Sequence, residues 1–194
     1  MSPAATETAE ASRRDVLRAA DDLFYARGVG GVTMADVRDR SGVSMRRLYT
    51  MYPSKDALVG AWLTDRHETW MTWFTEAVER HAGNGTDALL ATFDALGEWI
   101  ADPRYRGCAF INSMAETHDI DETHRAIIAG HKSDLIRHLG ALVRRSHPDA
   151  AVWLAPALGV ILDGAIVQCA IFHTTEPLSA ARSAAARLIE TIPT

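Results

Sequence analysis

Apolar residues recur at three- and four-residue steps along almost the whole chain, and no run sustains the two-residue alternation of a half-buried strand. The first stripe is Val16, Leu17, Ala20, Leu23 and Phe24. It predicts a helix from about Ser12 to Arg27, with Gly28 as its stop. Thr33 with Asp36 three residues on has the form of a capping box, Asp replacing the usual Glu or Gln, and opens a short helix that ends at Ser41-Gly42. Val37 is its clearest inward position. Ser44 caps a third short helix, Met45 to about Met51, and Pro53 with Ser54 closes it and starts the next. That fourth helix is long, from Lys55 to about His81, and Gly83-Asn84-Gly85 breaks it. A helix opening at Thr86 or Asp87 ends near Asp102-Pro103. A short apolar segment follows, Cys108 to Glu116, and then the polar stretch Thr117 to Asp121. The next helix reaches about Ser146, and two more span about Ala151 to Phe172 and Leu178 to Ile192. The expected fold is all-α with about nine helices. Its parts are an unstructured tail (1–11), a three-helix segment (12–53) and a larger helical domain (54–194).

Composition narrows the class. At 194 residues, with 47% hydrophobic and 23% charged positions, the chain has the balance of an ordinary globular protein rather than a disordered, collagenous or disulfide-rich one. The first dozen residues hold no apolar core, so no signal peptide is expected. The most apolar stretch, Ala157 to Phe172, is interrupted by Asp163 and Gln168 and is shorter than a membrane span needs. No membrane association is expected, and a cytoplasmic location is.

Net charge changes the picture once it is divided. The whole chain carries −5 with a pI near 5.9, which speaks against nucleic acid at first sight. Between Arg13 and Lys55, however, nine Arg/Lys face five Asp, a local +4 that leaves −9 for the remainder. Two short helices around Ser41-Gly42-Val43, braced by a third, have the layout of a helix-turn-helix. Gly42 allows the tight bend, and Val43 and Leu48 can bury to hold the second short helix at a fixed angle. Its outer face then presents Ser44, Met45, Arg46, Arg47, Tyr49 and Thr50. Arg46 and Arg47 suit guanine edges or phosphates, because guanidinium geometry matches both. Tyr49 offers a hydroxyl to phosphate, whereas Tyr52 is expected in the core. Lys55 sits in the first turn of the long helix, where ammonium and backbone N–H groups both favour a phosphate. With Thr33, these residues form the expected double-stranded DNA interface.

The same residues carry a resemblance. Gly42-Val43-Ser44, Leu48-Tyr49, Tyr52, Ser54-Lys55-Asp56 and Leu58 resemble the signature of the TetR family of transcriptional regulators. Ala20, Phe24, Gly28, Thr33-Met34 and Val37 fall at that family's spacing upstream. The chain departs from the pattern at Arg46-Arg47 and at Met51, partly on the reading helix, so no operator sequence carries over. Arg106-Gly107-Cys108-Ala109-Phe110-Ile111-Asn112, Ala115-Glu116, His131-Lys132 and Leu162-Asp163-Gly164-Ala165 resemble the regulatory half of one subset of that family. The resemblance implies a repressor, not an enzyme, that binds a palindromic operator as a homodimer and is released by a small-molecule effector.

For the effector, the resemblance implies a pocket in the back half, and the mixture of aromatic and scattered polar residues there suits one. Trp62, Trp70, Phe93, Phe110, Asn112, Glu116 and His131 are its expected lining, between the fourth helix and the helix ending near Ser146. The helix from Ala151 is apolar nearly all round and must be covered on several sides. Paired with the last helix and with both from a second chain, it would build a four-helix interface. Leu158, Ile161, Leu162, Ala165, Ile166 and Leu188 are the expected contacts.

Two rival chemistries were weighed on the residues themselves. His118, Asp119, Asp121 and His124 cluster, and His124, His131 and His138 repeat every seventh residue. Histidines seven apart on a helix are separated by roughly 10 Å, too far to share one ion unaided. No HExxH or paired Cys/His spacing occurs, so no metal, cofactor or catalytic group is expected. Cys108 and Cys169 lack CxxC spacing and suit small buried apolar positions better than a redox switch. The alternatives are a helical ligand-binding protein without DNA binding, and a metal-dependent enzyme using His118 to His131.

Overall fold

The computed structural model describes residues 3–83, 87–116 and 122–192. Among them, nine α-helices and one 3₁₀ turn follow in order, without a strand. These are α1 (Pro3–Arg27), α2 (Met34–Ser41), α3 (Met45–Met51), α4 (Lys55–Gly83) and α5 (Ala88–Ile100). They continue with α6 (Ala109–Glu116), α7 (Glu122–Ser146), the 3₁₀ turn Pro148–Ala150, α8 (Ala151–Phe172) and α9 (Glu176–Glu190). Two compact units emerge: unit 1 holds the chain up to Glu68 with Ala109–Ile128, and unit 2 holds Thr69–Cys108 with the chain from Ala129. Unit 1 therefore adds α6 and the first parts of α4 and α7 to the three-helix segment expected at 12–53.

In unit 1, α1 begins at Pro3 rather than Ser12, so the helix runs into the segment expected as a tail. Ala4, Ala5, Glu7, Ala9, Glu10 and Ala11 are strong helix formers, and an apolar stripe is not required to extend a helix already anchored further along. Val16, Ala20 and Phe24 of α1 are buried with Val37 of α2, Leu48 of α3 and Leu58 and Trp62 of α4. The Trp62 Nε1–H donates to Asp21 Oδ1 at 2.8 Å, and Arg66 Nη1 donates to the same oxygen at 2.5 Å. One α1 carboxylate thus ties down two α4 side chains. The Arg66 guanidinium also lies 3.9 Å from the Tyr25 ring centroid, a close cation–π contact.

Gly28 and Gly42 terminate α1 and α2 at left-handed backbone angles, φ 76° and 71°. Their surroundings differ. A Cβ at Gly42 would meet open space, whereas one at Gly28 would fall 2.6 Å from Glu116 Oε1 of α6. Gly42→Ala is expected to cost about 1–2 kcal/mol, the backbone penalty of an L residue in this region. Gly28→Ala is expected to cost more, because Glu116 must also give way. Thermal unfolding of both variants, repeated with Glu116→Ala, checks this: the second substitution should recover part of the Gly28→Ala loss and none of the Gly42→Ala loss.

In unit 2, α8 packs against α9, and both pack against α5. Leu154, Leu158, Leu162, Ala165, Ile166 and Cys169 are the inward row of α8, and Leu178 and Ala185 that of α9. Polar ties fix the arrangement. Arg182 of α9 donates to Asp94 of α5 at 2.9 and 3.3 Å, and Tyr105 Oη donates to the Ile166 carbonyl at 2.5 Å. Lys132 Nζ of α7 lies 2.5 Å from Asp163 Oδ1 of α8 and 3.6 Å from Cys108 Sγ. Cys108 and Cys169 are buried and unpaired, and burial pushes the Cys169 thiol up. α9 starts at Glu176, ahead of the expected Leu178, with Pro177 in its first turn, where a missing N–H does no harm. The continuous segment Pro148–Phe172 is long and apolar enough to cross a membrane by length and composition, which the shorter stretch Ala157 to Phe172 had not suggested. Here it serves as the central helix of unit 2, with Asp163 paired.

Candidate functional site

The helix-turn-helix assembles as its caps dictate. Thr33 is the N-cap of α2. Its backbone N–H and its hydroxyl each donate to Asp36 Oδ2 at 2.7 Å, and its Oγ1 accepts from the Asp36 N–H at 3.2 Å. These bonds, the hydroxyl first, hold the Asp36 carboxyl below the usual carboxylate range. Ser44 caps α3 by accepting from the Arg47 N–H at 3.3 Å. Ser54 Oγ accepts from the Ala57 N–H at 3.0 Å, which starts α4 and sets Lys55 in its first turn. Leu48 is the one residue of α3 that is fully buried, so the rest of this seven-residue helix is available on other faces.

Ser44, Arg46, Tyr49 and Thr50 are exposed, and Met45, Arg47 and Lys55 are half-buried. The hydroxyl of Thr50 is taken up by the Arg46 carbonyl at 2.8 Å. The structure also sorts the nine cations of this segment. Arg18, Arg27, Arg38 and Arg40 pair with Asp15, Asp36, Asp39 and Asp22. Arg46 and Lys55 pair with no acid among the described residues, so the local positive charge is concentrated on α3 and the start of α4. Tyr52 is buried as expected, its phenol pushed up by burial, while Arg13 stands 5.6 Å from its ring centroid. Arg13 was not singled out in the sequence; its partner is distant along the chain.

The seven residues expected to line one pocket fall in two units. Trp62, Asn112 and Glu116 line a cleft of about 270 Å³ in unit 1 with Phe24, Gly28 and Ser113. Phe110 is buried in unit 1 without lining that cleft. Phe93, Trp70 and His131 belong to unit 2. There the Trp70 ring stacks on Phe74 at 4.7 Å and meets His131 edge-on at 5.3 Å and Trp99 at 5.7 Å. Eight residues along α4 advance the helix by about 12 Å, which is why Trp62 and Trp70 serve different clusters. Trp70 Nε1 and His138 Nε2 are buried without a hydrogen-bond partner among the described residues. Burial, with Arg145 nearby, holds the His138 pKa below its ordinary value.

The expected dimer contacts require correction. Leu158, Leu162, Ala165 and Ile166 are buried inside their own chain, and Ile161 and Leu188 are half-buried. α9 and α5 take up that face of α8. The apolar face left exposed carries Val152, Trp153, Val160, Ile171 and Phe172. Of the histidine and acid cluster, His118, Asp119 and Asp121 lie outside the described residues. The Nε2–H of His124 donates to the Asp56 carbonyl at 2.9 Å, a structural bond between α7 and α4. Among the described residues no three His, Cys, Asp or Glu side chains converge as ligands for a metal ion.

An all-α chain with a capped helix-turn-helix near its start defines a class of regulatory proteins, and the comparisons name it. Residues 16–62 match the family described as bacterial regulatory proteins, tetR family. Through this segment the chain belongs to the TetR family. The transcriptional regulator TtgR of Pseudomonas putida is 38% identical over 63 residues, which is 32% of this chain and 30% of TtgR's own length. YjdC of Escherichia coli is 23% identical over 154 residues, covering 79% of this chain and 81% of YjdC. Two crystal structures share the fold. A TetR-family regulator from Streptomyces coelicolor superposes with a TM-score of 0.80 at 22% identity, covering 99% of this chain and 96% of the other. Reduced NemR of Escherichia coli gives 0.80 at 21% identity, covering 90% and 94%.

Proposed function

We propose that this protein is a ligand-responsive repressor that binds a palindromic DNA operator as a homodimer. One observation carries the DNA reading: α3 is held by a single buried leucine and presents Ser44, Arg46, Tyr49 and Thr50 outward, while the other cations nearby are neutralised in pairs. Thr33, Met45, Arg47 and Lys55 complete the proposed interface. The exposed apolar face of α8 supports dimerisation, because five large apolar side chains on one helix are an unusual burden for a monomer. A two-fold dimer would set two copies of α3 on successive major grooves of a palindrome.

The effector acts on the spacing of the two α3 helices. It is released or captured according to its preference between DNA-competent and DNA-incompetent states, and only a ligand with such a preference can regulate. α4 enters both compact units, so a shift of α4 is the proposed route. Selection of bound duplexes from a random pool tests the whole reading: a palindrome is expected, and the absence of any preferred sequence overturns it. On the selected site, Arg46→Ala and Arg47→Ala should change base preference, each by about 1–3 kcal/mol. Tyr49→Ala and Lys55→Ala should weaken binding to all sequences alike. If both arginine variants keep the native preference and affinity, the base-reading assignment is wrong.

A further inference from the structure

The α1–α2 connection holds three glycines in four residues, Gly28, Gly30 and Gly31, and α6 closes on it with a carboxylate. Glu116 Oε2 accepts from the Gly30 N–H at 3.2 Å, and both of its oxygens occupy space that a Cβ at Gly28 would fill. Beside this carboxylate opens the unit 1 cleft of about 270 Å³, whose floor is Phe24 and Trp62, edge to face at 5.2 Å. Asn112 and Ser113 add polar groups on the α6 side.

The charges around the cleft are unevenly satisfied. Arg27 is committed to the Gly31 carbonyl at 2.8 Å and to Asp36 at 3.6 Å, and Arg66 to Asp21. No Lys, Arg or His pairs with Glu116 among the described residues. An aromatic floor next to a carboxylate without a counter-ion favours a cation with an apolar body. The volume lies below the roughly 300 Å³ at which drug-sized pockets begin, so it suits one ring rather than several.

We propose that this cleft binds a small organic ammonium, its charged nitrogen on Glu116 and its apolar body over Phe24 and Trp62. A bound ammonium competes with the Gly30 N–H for the same carboxylate and so bears on the loop from which Thr33 starts α2. The regulatory consequence rests on the proposed operator binding; the ligand binding does not.

Calorimetric titration of the full chain at neutral pH with benzylammonium, and with benzyl alcohol as its uncharged counterpart, tests the site. Benzylammonium should bind at least about tenfold more tightly than the alcohol, the value of one charge-assisted contact. Glu116→Gln, which keeps an acceptor for Gly30, should remove that difference while leaving the melting temperature near that of the parent. Equal binding of the two compounds to the parent protein, no binding of benzylammonium, or full retention of the difference in Glu116→Gln overturns the proposal. The titration contains no DNA, so its failure leaves operator recognition standing, and a failed duplex selection leaves the amine site standing.

Discussion

Leu48→Ala is expected to eliminate operator binding and to loosen α3. A seven-residue helix has no stability of its own, because nucleation is costly and few of its backbone bonds close. What holds α3 is one fully buried leucine and the Ser44 cap. Truncating a buried leucine removes its transfer free energy and leaves a cavity, typically about 2–5 kcal/mol together. The expected observations are a lower midpoint in urea and faster amide exchange across residues 45–51. Arg46→Ala, by contrast, should alter DNA recognition with an unchanged urea midpoint, since its side chain is exposed. Equal exchange of the α3 amides in Leu48→Ala and parent would show that the leucine is not the anchor.

Val160→Asp is expected to convert the proposed dimer to a monomer. Trp153, Val160 and Ile171 stand on one face of α8, at steps of seven and eleven residues that return to the same side of a helix. Gly164, with open space around it, lies between Val160 and Ile171. Val160 is 74% exposed in the single chain, so an aspartate there leaves the protomer's own packing intact. In a dimer built on this face the carboxylate would be buried without a partner, which costs about 3–5 kcal/mol. Sedimentation should give a dimer for the parent and a monomer for the variant, with the helical signal unchanged. Selection from random duplexes should then return half-sites instead of a palindrome. A dimeric Val160→Asp would place the interface elsewhere.

The three-helix segment was the most legible part of the chain because its determinants are local. Thr33 with Asp36, Ser44 with the Arg47 amide, and Gly42 at a left-handed angle each act within four residues, so the limits of α2 and α3 follow from neighbours in sequence. Inward positions on these helices were equally plain, since Val37 and Leu48 are isolated apolar residues in polar surroundings. The start of α1 was not, because an alanine- and glutamate-rich extension carries no apolar stripe.

Periodicity failed on α8 for the opposite reason. A helix apolar all round carries no marker of which side its own chain will cover. That choice belongs to α9 and α5, which take Leu158, Leu162 and Ile166 and leave Val160 to solvent. The distribution of charge shows the same division. Composition alone placed a net positive charge between Arg13 and Lys55. Only the pairing of Arg40 with Asp22, eighteen residues away, and of Arg27 with Asp36 concentrates it on α3. Caps and turns are short-range and readable in the chain; the partners of a face, a cation or a cleft are set by residues that only tertiary packing brings within reach.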